Sequence, residues 1–430
     1  MSTTLAKLDG FHKEIYADKL HNLVADNANL VNLIKFKESE KIGKSYNVPL
    51  TMADENGFSY LGPDDGIVDL NDAVGMETQN ANVDAYQVYL NVLLEEKIAH
   101  RAAKSSAAYG NATKEVMKSV IRSMTNRLEI AFLHGRVGLG DITVDSATAV
   151  SATRTSVVIS EGSWAAGIFS GKKGAQFNVY DNDSDALVSS GADAVFTLFN
   201  IDVETRTVTL DSTSTGATAL IAAVTTNDYA CSLYFRDTHL SSSAWKEGPG
   251  IRAILQNTGE LFSIDAGVYD LWKGVEHSVE GQLTMGKIGA CVSKQVDKGG
   301  LNEEVCVMIN PRVWNDLADQ NASMRVFDSS YSKDAKQGFE TLTFYSQNGK
   351  VKIIPNNCVK QGEAFSIPVS CYKRIGSTEF ALGIKGEEQI WSKHPTKNAY
   401  YARAYAEQQI FTYAPAKSGY ISGFTPSTSN

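Results

Sequence analysis

The sequence predicts an α+β chain of several domains with an all-β domain inserted into it. Three observations carry that prediction. Helical and strand-like periodicities mix along both flanks of the chain, and the composition changes abruptly between residues 141 and 240. Three long elements near the start also carry too little apolar surface to bury themselves. At 430 residues the chain is longer than one core usually serves, and a hydrophobic content of 43% is enough for real cores. A formal net charge of −9 excludes a chain that is cationic as a whole, as a general nucleic-acid binder would be. No apolar run approaches the roughly 20 residues that cross a bilayer, so no membrane partner is expected. Met1–Asp18 lacks a basic-apolar-small signal pattern, so synthesis in a cytoplasm is expected.

Residues 1–44 read as an N-terminal arm, with Leu5, Leu8, Phe11 and Ile15 at helical spacing. Such a thin apolar stripe needs another surface to lie on. Residues 45–80 read as an extended hairpin loop with little apolar content. Tyr46–Met52 is strand-like, Asp54-Glu55-Asn56-Gly57 and Gly62-Pro63-Asp64-Asp65-Gly66 are turns, and Phe58–Leu61 is a short strand between them. Asp54, Glu55, Asp64, Asp65, Asp69, Asp72 and Glu77 are its acids, and Thr51–Asn80 contains no lysine or arginine. An isolated two-stranded hairpin is marginal, so this one is expected to dock on a positive surface.

Residues 81–140 hold the strongest helix. Tyr86–Ile98 reads as a strand entering a helix. After Gly110, the positions Val116, Val120, Ile121, Met124, Leu128, Ala131 and Phe132 make one apolar face that Gly135 ends. From Lys97 to Arg136 eight basic residues face two acidic ones. Lys114, Lys118, Arg122 and Arg127 are the candidate contacts for the acidic loop of an adjacent subunit.

Residues 141–240 form the inserted module, rich in Thr, Ser, Val, Ala and Asp. Ser156–Ser160, Phe177–Tyr180, Val195–Val203, Thr207–Leu210 and Tyr229–Phe235 are its expected strands, and twelve acids outnumber five bases. A stretch of about 100 residues suits a small sandwich or barrel with a solvated outer face. Residues 241–423 return to mixed α/β pattern. Asp270–Thr284 and Gly286–Asp297 read as helices, Val305–Ile309 as a buried strand, and Asn310-Pro311 as a helix start. Val351–Pro355, Ser366–Val369, Phe380–Ile384 and Tyr405–Phe411 read as strands, and 424–430 as a polar tail.

Signatures of catalysis do not hold together. Gly135, Gly138 and Gly140 have neither the spacing nor the preceding strand of a dinucleotide loop. Gly171-Lys172-Lys173-Gly174 lacks the upstream glycine of a phosphate loop. Asp181, Asp183 and Asp185 begin like a calcium loop, but Ala186 and Ala192 stand where glycine and an acid are needed. The five cysteines are far apart and odd in number, which suits buried thiols. No catalytic residue, metal or cofactor is expected.

At this point the chain resembles the tailed-bacteriophage major capsid family with the Hong Kong 97-like fold. Lys41-Ile42-Gly43-Lys44 leading into Tyr46-Asn47-Val48-Pro49-Leu50 is similar to the arm entering the extended loop. Arg127-Leu128-Glu129-Ile130-Ala131-Phe132-Leu133-His134-Gly135 is similar to the end of the spine helix. Val307-Met308-Ile309-Asn310-Pro311 with Trp314 and Leu317 is similar to the strand-to-helix step of the axial domain, and Gln408–Pro415 with Gly419-Tyr420-Ile421 to the closing strand. The likeness covers about residues 1–140 and 250–423, and the module departs from the minimal pattern.

The resemblance implies an N-terminal arm, an extended hairpin loop, a spine helix, and peripheral and axial domains. It implies a structural protein that self-assembles into pentamers and hexamers of an icosahedral shell around double-stranded DNA. It places the protein in the virion after synthesis in the host bacterial cytoplasm, with DNA contact that is not sequence-specific. Scaffolding, portal and decoration proteins are the further partners such a shell takes. Some relatives join neighbours by an isopeptide bond from a loop lysine, which Thr51–Asn80 does not contain. The competing reading is a phage tail or surface adhesin with a carbohydrate-binding β domain, suggested by Trp164 and Tyr180 in the Thr/Ser-rich module.

Overall fold

In the computed structural model of the chain the described residues are 29–36, 45–64, 66–97, 112–226, 231–241, 244–325, 342–347, 349–383 and 391–427. They belong to two units. The smaller includes Val88–Asn126 and Phe380–Ala406, and the larger includes Asn27–Gln87, Arg127–Glu379 and Glu407–Asn430.

The chain enters through a short helix, α1 (Asn29–Leu33), with Leu30 and Ile34 buried. The Glu129 carboxylate accepts the Leu30 and Val31 N–H groups, both at 2.8 Å. At the other end the Arg374 guanidinium donates to the Val31 and Ile34 carbonyls at 3.0 and 3.1 Å. A helix this short does not hold in water by itself; here, side chains satisfy backbone groups at both of its ends. This last turn of the predicted arm lies on its own chain, where the sequence had suggested another surface. Residues 1–28 and 37–44 of the predicted arm lie outside the described residues.

Next come β1 (Tyr46–Ala53) and β2 (Glu77–Val83), an antiparallel ribbon running from Tyr46 opposite Val83 to Ala53 opposite Glu77. The strand β3 (Tyr86–Glu95) follows, and then the long helix α2 (Ala112–His134).

Residues 140–235 build a seven-stranded antiparallel sheet. Its strands are β4 (Gly140–Asp141), β5 (Thr148–Ser151), β6 (Arg154–Val158), β7 (Gln176–Asp181), β8 (Phe196–Asp202), β9 (Thr207–Asp211) and β10 (Cys231–Phe235), in the order β4-β10-β7-β8-β9-β6-β5. Stacked rings of Trp164, Phe169, Phe177 and Phe235 fill its interior. The region is not all-β, because a 13-residue helix, α3 (Ser214–Thr226), lies in it. Ala217, Leu220 and Val224 of α3 are buried at helical spacing. Its Ser, Thr and Ala content masked that period in the sequence. The polar side of β10 is not solvated either: Ser232 is buried and donates to Asp141 at 2.6 Å. Two small ribbons follow, β11 (His239–Ser241) with β12 (Ala244–Trp245), and β13 (Glu260–Leu261) with β14 (Ile264–Asp265).

The main core of the larger unit is a six-stranded mixed sheet. Along the chain its strands are β15 (Val275–Ser278), β16 (Val305–Ile309), β17 (Leu342–Ser346), β18 (Gly349–Pro355), β19 (Glu363–Ile367) and the last strand of the chain, Gly419–Ser422. The spatial order is β15, Gly419–Ser422, β19, β16, β18, β17. All five residues of the central β16 are buried, as a strand covered on both faces requires. Two helices pack in the same core, α4 (Met285–Gly299) and α5 (Pro311–Arg325). The Thr284 hydroxyl caps the start of α4 by accepting from Lys287 N–H, and Gly300 in the left-handed region ends it. The predicted helix over 270–284 is instead a single turn, Asp270–Trp272, followed by β15. Gly274 lies so close to the Leu255 backbone that a side chain would clash, and β15 pairs in parallel with Gly419–Ser422. Tertiary pairing overrides the local pattern there.

The remaining strands are β20 (Tyr372–Leu382), β21 (Ser392–Lys393), β22 (Ala399–Thr412) and that last strand, β23 (Gly419–Ser422). In the smaller unit β22 carries an inner row of buried alanines, Ala402, Ala404 and Ala406, and is paired by β3.

Asn356–Glu363 joins the parts of the larger unit. Asn356 Nδ2 donates to Glu129 at 2.7 Å, and the Cys358 carbonyl lies 2.8 Å from His134 Nε2. Lys360 Nζ donates to the Gly138 carbonyl at 2.6 Å. Gln361 and Gly362 N–H groups reach the carbonyls of Trp164 and Gly162. Glu363 pairs with Arg252 at 2.5 Å.

Two buried titratable groups on α2 set the pH response. Burial pushes the Glu129 carboxyl from 4.5 up to about 7, against the opposing bonds from Leu30, Val31 and Asn356 and the charge of Arg374. Its contribution to stability is therefore full below 4.5 and lost as pH rises through about 7. Burial, then the Lys360 charge, holds the His134 imidazole neutral, well below its usual range. That contribution has the opposite sign and is lost on acidification below about 6.5. Glu129→Gln leaves the His134 response in place. It is expected to cost more stability at pH 5 than at pH 8, by up to about 3 kcal/mol in urea unfolding. An equal cost at the two pH values would show that the carboxyl does not titrate as described.

Candidate assembly surfaces

The acidic loop is built on a firm root. The inward residues of β1, namely Tyr46, Val48, Leu50 and Met52, pack with Phe262, Tyr269 and Trp272 around Ala81, Val83 and Phe411. Tyr269 ties the second strand, accepting from Gln79 at 3.0 Å and donating to the Glu77 carboxylate. Glu77 is thus held within its own chain. Beyond the ribbon, residues 54–76 form an open loop and not the strand expected at Phe58–Leu61. Its limbs are joined by Asn56 N–H to the Val74 carbonyl, and by Asn71 to Ser59 Oγ and the Phe58 carbonyl.

The expected scarcity of apolar side chains on this loop does not hold. Phe58, Tyr60, Leu61, Ile67, Val68, Leu70, Val74 and Met76 all stand exposed, Tyr60 at 93%. Contiguous apolar exposure of this kind marks a surface that meets something. Asp54, Glu55, Asp64, Asp69 and Asp72 are exposed among them, and Asp65 lies outside the described residues.

The predicted basic partners separate on α2. Lys118 is exposed and Arg122 half-buried, while the side chain of Lys114 lies outside the described residues. Arg127 is turned inward: its guanidinium lies over the Phe235 ring, and burial lowers its pKa to about 10 against the charge of Glu247. Arg127 therefore serves the packing of its own chain, a correction to its expected role as a contact for a neighbour. Its place in the last two turns, where α2 becomes buried all round, is the reason.

In the smaller unit the outward residues of β3, including Tyr89 and Leu93, are 59% and 56% exposed. The Tyr89 ring sits 4.8 Å from that of Tyr405 on β22. Arg403 beside them is exposed and lies over Tyr401. The sequence signal for this face is Tyr401-Ala402-Arg403-Ala404-Tyr405-Ala406, a period of two with one apolar and one amphipathic row.

A cavity of about 310 Å³ opens beside Asp141, Ser163, Glu363, Tyr420 and Phe424. Its two carboxylates are engaged within the chain, Asp141 by Ser232 and Glu363 by Arg252. Among the described residues there is no group of three or more His, Cys, Asp or Glu placed to hold a metal, and no helix is long and apolar enough to cross a membrane. All five cysteines are buried thiols.

No family model and no curated protein matches the sequence. Among solved structures, a chain of the Cyanophage A-1(L) capsid asymmetric unit superposes with a TM-score of 0.54 at 8% identity, covering 98% of this chain and 100% of that one. A capsid chain of the native GTA particle gives 0.47 at 7% identity, with 99% and 100% covered. One from Mycobacterium phage Ogopogo gives 0.47 at 9% identity, with 98% and 100% covered. The first of these carries the fold assignment: the chain has the mixed α+β fold of a phage capsid chain along nearly its whole length.

The root and the tip of the loop are expected to behave differently. Trp272→Ala, at the root, should lower subunit stability by about 3–5 kcal/mol. Ile67→Ser, at the tip, should stay within about 0.5 kcal/mol of the parent. Thermal melts of soluble subunits measure both, and a large loss with Ile67→Ser would show that the tip is packed within its own chain.

Proposed function

We propose that the chain is the major shell subunit of a tailed bacteriophage, with the Hong Kong 97-like arrangement of arm, extended loop, spine helix, peripheral domain and axial domain. In this reading residues 1–44 are the arm, 45–80 the loop, 81–140 the peripheral domain with its spine, and 241–423 the axial domain and remaining peripheral strands. Residues 141–240 are an insertion, with its own sheet and one helix. The role is structural, with no catalysis.

The observation that carries the reading is the combination of fold and exposure. The superposition on a capsid chain runs the length of both chains, and the loop displays eight large apolar side chains that its own chain leaves uncovered. A soluble monomer gains nothing from that display, whereas a subunit whose neighbours cover it does. Copies would join head to tail, each loop passing to the next subunit, the heterologous contact that closes rings into pentamers and hexamers. The loop's acids then set register, and its apolar side chains supply the larger part of the contact, since exposed ion pairs contribute only about 0–1 kcal/mol each. Packaged DNA would meet a shell of net negative charge, which suits containment without sequence-specific grip. Lacking a lysine between Thr51 and Asn80, the loop docks without a covalent bond.

Electron microscopy of the purified full chain tests this reading, with closed shells or five- and six-membered rings as the expected result. Monomers or trimeric rods at the same concentration would overturn it. Boiled particles should run on a denaturing gel as one band near 46.6 kDa, and a ladder of multimers would sink the non-covalent lock.

A further inference from the structure

We infer that the acidic loop seats on the open face of the β3–β22 sheet of a second copy of this chain. This rests on the assembly reading above and gives the loop a specific floor, in place of the basic face of α2.

Three properties match across the two surfaces. The first is apolar character. The loop offers Phe58, Ile67, Val68 and Leu70, and the sheet offers Tyr89 and Leu93, all exposed within their own chain. The second is shape. Residues of one strand face project in a flat row, and the Ala402, Ala404 and Ala406 row occupies the opposite, buried side. Tyr89 and Tyr405 thus form a level aromatic floor on which an irregular loop can lie without matching a strand register. Aromatic side chains give large contact area for little lost conformational freedom.

The third is charge. Thr51–Asn80 carries seven acids and no lysine or arginine, whereas Val88–Asn126 and Phe380–Ala406 together carry ten bases against five acids. Arg403 is exposed in the middle of the aromatic row, and Lys393 is exposed near Tyr400, within 4.0 Å of Glu96. On α2 the candidates are poorer: Arg127 is inward, and the exposed positions around Lys118 include Ile121 as the one large apolar side chain. A surface that is both apolar and cationic fits the loop better than a cationic one alone. A second copy is the occupant because one chain carries both halves of the match, and each subunit of a closed ring gives one half and receives the other.

The test places a photo-activatable benzophenone amino acid at Ile67 in the full chain, irradiates whatever oligomer forms, and maps the cross-linked peptides by mass spectrometry. Cross-links to residues 87–95 or 399–407 of another copy are expected. Cross-links to residues 114–127 would overturn the sheet as the floor while leaving loop docking intact. Oligomers with no intermolecular link from Ile67 would overturn both. If the label at Ile67 prevents assembly, the same label at Leu93 must report residues 54–76, and any other partner peptide counts against the inference. Leu93→Asp provides a second arm, with loss of oligomers expected at an unchanged melting temperature of the subunit. Oligomers at the parent's level would overturn the role of this face.

Discussion

The larger unit depends on one constraint: a polar loop, Asn356–Glu363, is buried and must find a partner for every backbone group it takes out of water. It finds them in five places, namely the end of α2, the start of the inserted region, β16, the segment at Trp164, and Arg252. Lys360 and Glu363 are both buried, so each requires the other and Arg252 near it. Replacing one member would strand a charge, which is far more costly than the net worth of the set. Buried apolar contacts can slide, but this set of directed bonds fixes how the sheets and α2 are joined. Glu129 then extends the set outward to α1, so the placement of the arm's last turn is settled by the same network.

That rigidity explains how the chain can present uncovered surface elsewhere. The ribbon root is closed by Trp272, Tyr269 and Phe411, so the loop's tip can be apolar without drawing the rest of the chain into collapse around it. The sheet face with Tyr89 and Tyr405 is held flat by its buried alanine row. Stability and display are thus assigned to different residues of the same elements, alternate positions along β1 and along β22.

Much of this architecture was legible in the sequence wherever one local signal dominated. Thr284 and the glycine pair after Lys298 delimit α4, and the run Val305–Ile309 is a strand buried on both faces. The ribbon, α2 and most strands of the 140–235 sheet were read within a few residues. Asp270–Thr284 was not, since its strand exists only through pairing with a segment some 140 residues later. Helix α3 was missed because Ser and Thr hid its Ala217-Leu220-Val224 spacing. The candidate surfaces were half legible. The loop's charge was plain, but its eight exposed apolar residues were invisible as such, because a sequence does not say which apolar residues stay outside. Arg127 looked like its neighbours Lys118 and Arg122 until the Phe235 ring was found beneath it.

The sheet order has a consequence for the birth of the subunit. Strand β15 meets β23 across more than 140 residues, and α1 is held by Arg374 across more than 340. Neither contact can form on a ribosome until nearly the whole chain has emerged, and contacts at such separation make folding slow. The acidic loop, only 50 residues from the start, is therefore synthesised long before Trp272 and Phe411 exist to close its root. Until then its apolar tip is one more sticky stretch of nascent polypeptide. The late strand works as a timer: a subunit becomes rigid enough to offer the loop to another only after translation has passed Ser422.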